Sequence, residues 1–193
     1  MVEDPADQLA EHVALAGRVV ELLPGLRKLS DALIEAYEHG GRLFTFGNGG
    51  SAADAQHLAA ELVGRYKRER RPLPALALTV DPSVLTCIGN DYDYGEVFAR
   101  QVSAFAAPGD VVIAFTTSGR SPNVVNGLAA ARGRGALTVL LTGADSGPAG
   151  EHADLVLNVP SRTTARIQEM HLLLLHLLSE QVDAWAAGEE EPA

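Results

Sequence analysis

Short apolar runs alternate with amphipathic segments along most of the chain, and this alternation predicts the order of strands and helices. Five runs are nearly continuous in apolar residues and rich in β-branched types, with Gly, Pro, Asp or Asn at their borders. They are RLFTF (42–46), ALALTV (75–80), VVIAFT (111–116), ALTVLLT (136–142) and DLVLNV (154–159). Continuous apolarity, rather than strict alternation, is typical of parallel strands that are covered on both faces.

Apolar residues recur at helical spacing in the segments between these runs. The predicted helices cover residues 51–66, about 94–106, 122–133 and about 163–187. Residues 6–39 have the same spacing, and LPGL at 23–26 predicts either two helices or one kinked helix there. The order of elements predicts an α/β protein: a three-layer α/β/α sandwich with a five-stranded parallel sheet and N-terminal helices.

The length and composition fit a single domain. The chain has 193 residues, of which 47% are hydrophobic, enough for one core. We expect an N-terminal helical segment (1–40), an α/β core with a C-terminal helix (41–187) and a solvated acidic tail (188–193).

Charge and hydropathy argue against several classes of function. A net charge of −10 disfavours nucleic acid as a partner, although a local pocket can still bind a small anion. No apolar stretch approaches the roughly 20 residues that span a bilayer, and the acidic start lacks the features of a signal peptide. We therefore expect a cytoplasmic protein without a membrane partner. Cys87 is the only cysteine, which excludes an intramolecular disulfide, and we expect it to be buried among apolar residues.

The loop after the first predicted strand, GNGGS (47–51), has the features of an anion site. Glycines let backbone N–H groups approach a ligand, and Ser51 is a favourable helix cap beside the positive end of the helix dipole. A dinucleotide-binding loop would need a glycine at position 52, where the chain has Ala52, and an acidic residue at the end of the next strand. We therefore predict no nucleotide cofactor.

The loop after the third predicted strand, TTSGRSPN (116–123), offers four hydroxyl groups, a glycine and an arginine. Pro122 suits the first position of a helix and Ser121 suits its cap. Each loop alone could equally be a polar helix cap. Both, however, follow strands of one sheet, where ligands of such sheets bind, and together they favour a phosphate group.

Two histidines and a glutamate are candidates for chemistry. His57 and Glu61 are four residues apart on one predicted helix and share a face, as ordinary surface pairs also do. On the C-terminal helix, Gln168 and His176 share a narrow stripe, and His176 could also be a hydrogen-bonded core residue. His171 points about 140° away from His176, so we assign it to another surface or a subunit contact.

Four longer segments contain these motifs: FGNGGSAADAQHLAAELVGRY (46–66), LTCIGNDYDYGEVFARQV (85–102), TTSGRSPNV (116–124) and ARIQEMHLLLLHLLSEQVD (165–183). Together they resemble the sugar isomerase (SIS) domain and, within it, the sedoheptulose 7-phosphate isomerases (phosphoheptose isomerases). The resemblance implies the five-stranded SIS fold and a homotetramer with active sites at subunit interfaces. It also implies conversion of sedoheptulose 7-phosphate to D-glycero-D-manno-heptose 7-phosphate through an enediolate.

The resemblance further implies roles for individual residues. Glu61 matches the catalytic base and His176 its partner acid. A zinc site in some members matches His57, Glu61, Gln168 and His176. Residues that match substrate contacts are Asn48, Gly49, Ser51, Arg65, Asp91, Thr116, Thr117, Ser118, Ser121 and Gln168. Arg120 and Ala165 depart from the commoner family pattern, which has Asn and, in some enzymes, Asp at these positions.

Two other functions remain as alternatives. A non-catalytic SIS adaptor that binds a replication initiator protein resembles the same segments but lacks the full acid/base set, which Glu61 and His176 supply here. A sugar-phosphate sensor would use the same loops with a fused DNA-binding segment. The basic run GRYKRERRP (64–72) is instead expected to be solvated.

Overall fold

Strands and helices alternate through residues 4–188, the part of the chain that the computed structural model describes. The helices are α1 (Pro5–Arg18), α2 (Leu23–Glu38), α3 (Gly50–Val63), α4 (Pro82–Asp91), α5 (Val97–Phe105), α6 (Pro122–Gly133) and α7 (Thr164–Ala186). The strands are β1 (Leu43–Gly47), β2 (Ala75–Ala77), β3 (Val111–Phe115), β4 (Leu137–Thr142) and β5 (Leu155–Asn158). The predicted acidic tail lies outside the described residues except for its first residue, Gly188.

The five strands form one parallel sheet in the order β2-β1-β3-β4-β5, which confirms the predicted sheet. β1 and β3 are neighbours at its centre, and Gly47 is in register with Phe115 at their carboxyl ends. The loops that follow these two strands therefore meet at one edge of the sheet. None of the helices within residues 4–188 is long and apolar enough to cross a membrane.

Successive strand residues point to opposite faces, and each face is covered by its own helices. Phe44 and Phe46 pack in a core with α4, α5 and α6. Leu43 packs in the second core, with α1, α2, α3 and α7. The predicted three-layer sandwich is thus confirmed, and α3 and α7 pack against each other on one face.

Several element boundaries differ from the predicted ones. Pro24 lies in the first turn of α2, and the break between the N-terminal helices falls instead at a short 3-10 segment, Val19–Leu22. The predicted second strand is shorter, Ala75–Ala77. α4 was not predicted; it begins at the Asp81–Pro82 dipeptide, where the Asp81 carboxylate accepts from the N–H groups of Ser83 and Val84.

The expectations for two side chains were wrong. Cys87 is exposed on α4, where its thiol lies 3.5 Å from Asp91 Oδ2, because the inward-facing position of that helix belongs to Ile88. His171 is fully buried rather than at a surface. Its Nε2 lies 3.4 Å from the carbonyl of Thr142, and burial lowers its pKa to about 4. The side of α7 opposite His176 faces the sheet, which explains the burial.

Burial of His171 predicts a loss of stability in mild acid. The pKa of His171 is about 4 in the folded protein and has its ordinary value of 6.5 in the unfolded chain. The unfolded chain therefore binds the proton more readily. The stabilising difference is complete above pH 6.5 and is lost as the pH falls towards 4. The shift corresponds to at most about 3 kcal/mol. We expect the difference in the free energy of unfolding between the wild type and His171→Gln, measured by urea titration, to shrink as the pH falls from 6.5 towards 4, because this difference isolates His171 from the buried Asp54, whose raised pKa acts with the opposite sign in the same window. The difference between the wild type and the exposed control His39→Gln should stay constant. An equal pH dependence of the two differences would contradict the prediction.

Candidate active site

A cavity of about 300 Å³ lies at the carboxyl ends of β1 and β3. Eight of the predicted substrate residues line it: Asn48, Gly49, Ser51, Thr116, Thr117, Ser118, Ser121 and Gln168. The fold thus brings the two polar loops and the start of α7 to one place. Thr164, the first residue of α7, also lines the cavity and was not predicted.

The loop after β1 takes its shape from a glycine. Gly49 has φ +59° and occupies the cap position of α3, so Ser51 lies inside the first turn and is not the cap that was predicted. A Cβ on Gly50 would come within 2.6 Å of Gln168 Nε2. The absence of a side chain at Gly50 therefore lets α3 begin directly beside Gln168 of α7.

The loop after β3 is fixed by a second glycine. Gly119 has φ +65°, and a Cβ there would lie 1.9 Å from the carbonyl oxygen of Ser146, so only glycine fits. Ser121 takes the predicted cap position of α6, and its hydroxyl makes no capping hydrogen bond. Arg120 does not line the cavity; its Nη2 lies 2.6 Å from Asp145 Oδ2.

Asn48 is held from two sides by residues that the sequence did not single out. Its side-chain amide exchanges two hydrogen bonds with that of the buried Asn123, each 2.8 Å long. Tyr94 donates its hydroxyl hydrogen to Asn48 Oδ1 at 3.4 Å. These contacts join the β1 loop to the start of α6 and orient the Asn48 amide at the cavity wall. In the sequence, the one feature that could have indicated Asn123 as a site residue was its position in a polar loop, directly after Pro122.

Farther along α3 and α7, three ionisable side chains converge. His57 Nε2 lies 2.9 Å from Glu61 Oε1 and 3.3 Å from His176 Nε2. One ligand atom from each of the three residues lies within 4.8 Å of the others. The structure thus places together the predicted base, the predicted acid and the histidine that the resemblance added as a metal ligand.

The donor set of this cluster fits a divalent metal ion. The His57 Nε2 atom faces two partners but carries at most one hydrogen, so it cannot donate a well-aligned hydrogen bond to both. Two nitrogen ligands of one tetrahedral zinc ion, at 2.0–2.1 Å each, lie about 3.3 Å apart, and zinc accepts imidazole and carboxylate together. The observed separation of the two Nε2 atoms, 3.3 Å, matches this value.

The surroundings of His176 favour its neutral form. Burial, the neighbouring His57 and Lys67 lower the pKa of His176, and Glu61 opposes them. The ring of Tyr66 stacks on His176, with ring centres 5.7 Å apart. Tyr66 therefore lies next to the cluster. The sequence pattern had placed it at the end of the predicted helix 51–66 and had not indicated it as a site residue.

A buried carboxyl group lies one turn before His57 on α3. Asp54 is 9% exposed, and its Oδ2 has no hydrogen-bond partner. Burial raises the pKa of Asp54 to about 6, although His57 opposes the shift. This carboxyl group was not predicted as part of the site.

Two predicted substrate residues lie away from the cavity. Arg65 is exposed and contacts Glu69 and the carbonyl of Lys67. Asp91 is exposed at the end of α4. Within one chain, the structure does not bring either residue to the cavity wall.

The segment that follows α3 also differs from its prediction. α3 ends at Val63, three residues earlier than predicted, and the basic run is not fully solvated. The side chain of Arg70 is completely buried in an ion pair with Asp183. Sequence periodicity contains no signal for this long-range contact.

Comparisons with known proteins agree with the arrangement of loops and cluster. A family model for the SIS domain matches residues 9–143. The phosphoheptose isomerase of Paramagnetospirillum magneticum is 51% identical over 183 residues, which cover 93% of this chain and 94% of that protein. The phosphoheptose isomerase of Roseiflexus sp. is 48% identical over 178 residues, 92% of this chain and 90% of that protein. The chain belongs to the phosphoheptose isomerase family of SIS-domain proteins.

A solved member of the family has the same fold. The phosphoheptose isomerase of Neisseria gonorrhoeae superposes with a TM-score of 0.87 at 39% identity, and the match covers 93% of this chain and 96% of that one. The predicted family is therefore confirmed. As a member of the phosphoheptose isomerase family, the chain is a sugar-phosphate isomerase that acts on a small-molecule sugar phosphate.

Proposed function

We propose that the chain converts sedoheptulose 7-phosphate to D-glycero-D-manno-heptose 7-phosphate through a cis-enediolate. The observation that carries the proposal is the His57–Glu61–His176 cluster on the same two helices whose first turns line the hydroxyl-rich cavity. The name shared by the relatives supports this choice of substrate.

The two parts of the site suit the two ends of such a substrate. The phosphate would bind among the hydroxyls of Thr116, Thr117, Ser118 and Ser121 and the N–H groups at the start of α3. His57 is six residues after Ser51, about 9 Å along the helix axis. A seven-carbon sugar phosphate can extend over this distance, so binding of the phosphate would fix the reacting carbons near the cluster. Arg65 and Asp91 stay proposed sugar contacts.

Glu61 and His176 would share the proton transfers. We assign Glu61 as the base that takes the proton from one of the two reacting carbons and returns it to the other. His176 would serve the two oxygens as the partner acid. The lowered pKa of His176 favours its neutral imidazole, and a neutral imidazole can polarise a carbonyl oxygen.

We further propose that the cluster holds zinc. His57, Glu61 and His176 would be its ligands, with Gln168 as the fourth, an unusual ligand type. Gln168 lies beside Gly50, about two turns before His176 on α7, so its side chain would have to extend towards the cluster to bind the ion. When bound, zinc would polarise the carbonyl group and stabilise negative charge on the enediolate oxygens. The neutral imidazole of His176 is also the form that binds a metal.

The remaining predictions concern assembly and location. We propose that residues 1–193 form one SIS domain, since the sheet and its helices continue past residue 143, where the family match ends. A homotetramer with active sites at subunit interfaces is proposed as well. In such an assembly, Arg65 and Asp91 of one chain would lie at the active site of a neighbouring chain. The cytoplasmic location stays a prediction.

Turnover of purified protein tests the proposed function. The protein is incubated with sedoheptulose 7-phosphate, and ketose and aldose are separated chromatographically because their masses are equal. Formation of the aldose phosphate is expected. An absence of turnover with and without added zinc, together with binding to a replication initiator protein, would favour the adaptor instead.

The phosphate loop is tested by Ser118→Ala. Loss of one hydrogen bond to a charged group costs about 1.5–3 kcal/mol, so we expect KM to rise about tenfold or more while kcat changes little. Ser103, exposed on α5 and outside the cavity, provides the control Ser103→Ala, which should retain the wild-type KM. An unchanged KM in Ser118→Ala would contradict the assignment.

The metal is tested by chelation and by His57→Asn. We expect about one zinc ion per chain in the purified enzyme, loss of activity after chelation and recovery when zinc is restored. His57→Asn should bind zinc more weakly, whereas the exposed control His39→Asn should not. Full activity of a chelated sample that contains no metal by elemental analysis would exclude the proposed role.

A further inference from the structure

Beyond the cluster, a buried ion pair connects the same two helices. Arg70 Nε lies 2.9 Å from Asp183 Oδ1, and both side chains are completely buried. Asp183 follows His176 by seven residues, about two turns of α7. The pair lies outside the cavity and the cluster, and the reaction proposed above gives it no role.

Arg70 binds α3 through the carbonyl groups at the end of that helix. Its Nη2 donates to the carbonyl oxygen of Glu61 at 2.7 Å, and its Nη1 donates to that of Leu62 at 2.8 Å. The last carbonyl groups of a helix have no partner within the helix. The guanidinium group therefore caps α3 while its Nε binds α7, so one side chain fixes the backbone of Glu61 relative to α7.

Asp183 holds the connecting segment on the α7 side. Its carboxylate accepts hydrogen bonds from the backbone N–H groups of Tyr66 (3.3 Å), Lys67 (3.1 Å) and Arg68 (2.8 Å). Burial alone would raise the pKa of Asp183, but these hydrogen bonds and that from Arg70 outweigh it and lower the pKa. Asp183 is thus ionised at neutral pH. The segment that it binds contains Tyr66, whose ring stacks on His176.

We infer that Arg70 and Asp183 are a positioning pair that sets the placement of Glu61 against His176 for proton transfer. The inference rests on the proposed function. A buried ion pair adds little stability compared with apolar residues of similar size, so stability alone gives a weak reason for it. The hydrogen bonds of this pair to both helices fix the relative position of the helices, which two apolar side chains would not do. Because a misplacement of about 1 Å can cost 10²-fold in rate, loss of the pair should affect kcat. KM should change little, since the phosphate loops lie at the other ends of the helices.

The test compares Arg70→Lys with a change in a second buried ion pair elsewhere in the fold. Lysine keeps the charge but has all its donors on one nitrogen, so it cannot reproduce the hydrogen bonds that Nε, Nη1 and Nη2 of Arg70 make to Asp183, Leu62 and Glu61. Asp110 is a similar buried carboxylate. Its Oδ2 lies 2.9 Å from Arg42 Nη2, and the carboxylate accepts hydrogen bonds from the backbone N–H groups of Arg42 and Ala107. It directly precedes β3, at the sheet edge opposite the cavity. We expect Arg70→Lys to lower kcat by about 10- to 100-fold at unchanged KM, and Asp110→Asn to keep the wild-type kcat.

A second readout does not depend on activity. In NMR spectra of the full chain, the imidazole signals of His57 and His176 should shift in Arg70→Lys and stay in place in Asp110→Asn. If Arg70→Lys does not fold, Asp183→Asn, which keeps the shape of the side chain, takes its place. Equal kcat values for the two variants, or unshifted imidazole signals in Arg70→Lys, would overturn the inference. If the wild type shows no turnover, the proposed function fails, and the imidazole signals still decide whether the pair positions the cluster.

Discussion

Replacing Glu61 by glutamine is expected to lower kcat by about 10²- to 10⁴-fold, the range that a positioned general base contributes. Glutamine has nearly the same shape but cannot take a proton from carbon. The proposed phosphate-binding residues lie in other elements or nearly three turns earlier on α3, so the dissociation constant of the ketose phosphate should change little. Steady-state kinetics and calorimetric titration with the substrate measure the two quantities separately.

The control for this prediction is Glu69→Gln, which changes a carboxylate that is 93% exposed in the segment after α3. It should retain the wild-type kcat. Because Glu61 is also a proposed zinc ligand, the metal content of each variant must be measured. A kcat for Glu61→Gln within about tenfold of the wild-type value, at equal metal content, would contradict the role of base.

The sequence predicted the residues of the cavity at the carboxyl ends of β1 and β3 well because its signals are local. Glycines and hydroxyl residues directly follow two strands of a parallel sheet, and the topology of such a sheet brings their carboxyl ends together. Eight predicted residues consequently line one cavity. The structure was required for Thr164 in the cavity wall, for the contacts of Asn48 with Asn123 and Tyr94, and for backbone details such as the positive φ of Gly49.

The cluster of His57, Glu61 and His176 was predictable only in part. The i, i+4 spacing places His57 and Glu61 on one face, but only the resemblance to the family brought His176 to them. The contact joins helices more than a hundred residues apart, and helical periodicity says nothing about which helices pack together. The structure supplies this contact, together with Tyr66 as a neighbour of His176.

The prediction that the basic run after α3 (64–72) is solvated was wrong for Arg70, because it rested on composition alone. A cluster of charges usually lies in water, and most of these side chains are at least partly exposed. Arg70 is an exception because the end of α3 leaves carbonyl groups without partners. A charge that satisfies a helix end and a distant carboxylate is stable when buried. The residues around Arg70 in the sequence do not reveal that its partner is Asp183, 113 residues later in the chain.

Asp183→Ala is expected to lower the free energy of unfolding by about 3–5 kcal/mol, because it leaves the buried guanidinium of Arg70 unpaired and removes the acceptor for three backbone N–H groups. Glu180→Ala on the same helix is the matched control. The Glu180 side chain is 35% exposed and pairs with Lys67 and Arg68 of the same segment, so its loss should cost no more than about 1 kcal/mol. Urea titrations followed by circular dichroism give both values. If the two variants unfold with equal free energies, the buried pair does not anchor the segment, since exposed ion pairs to the same helix would then serve as well.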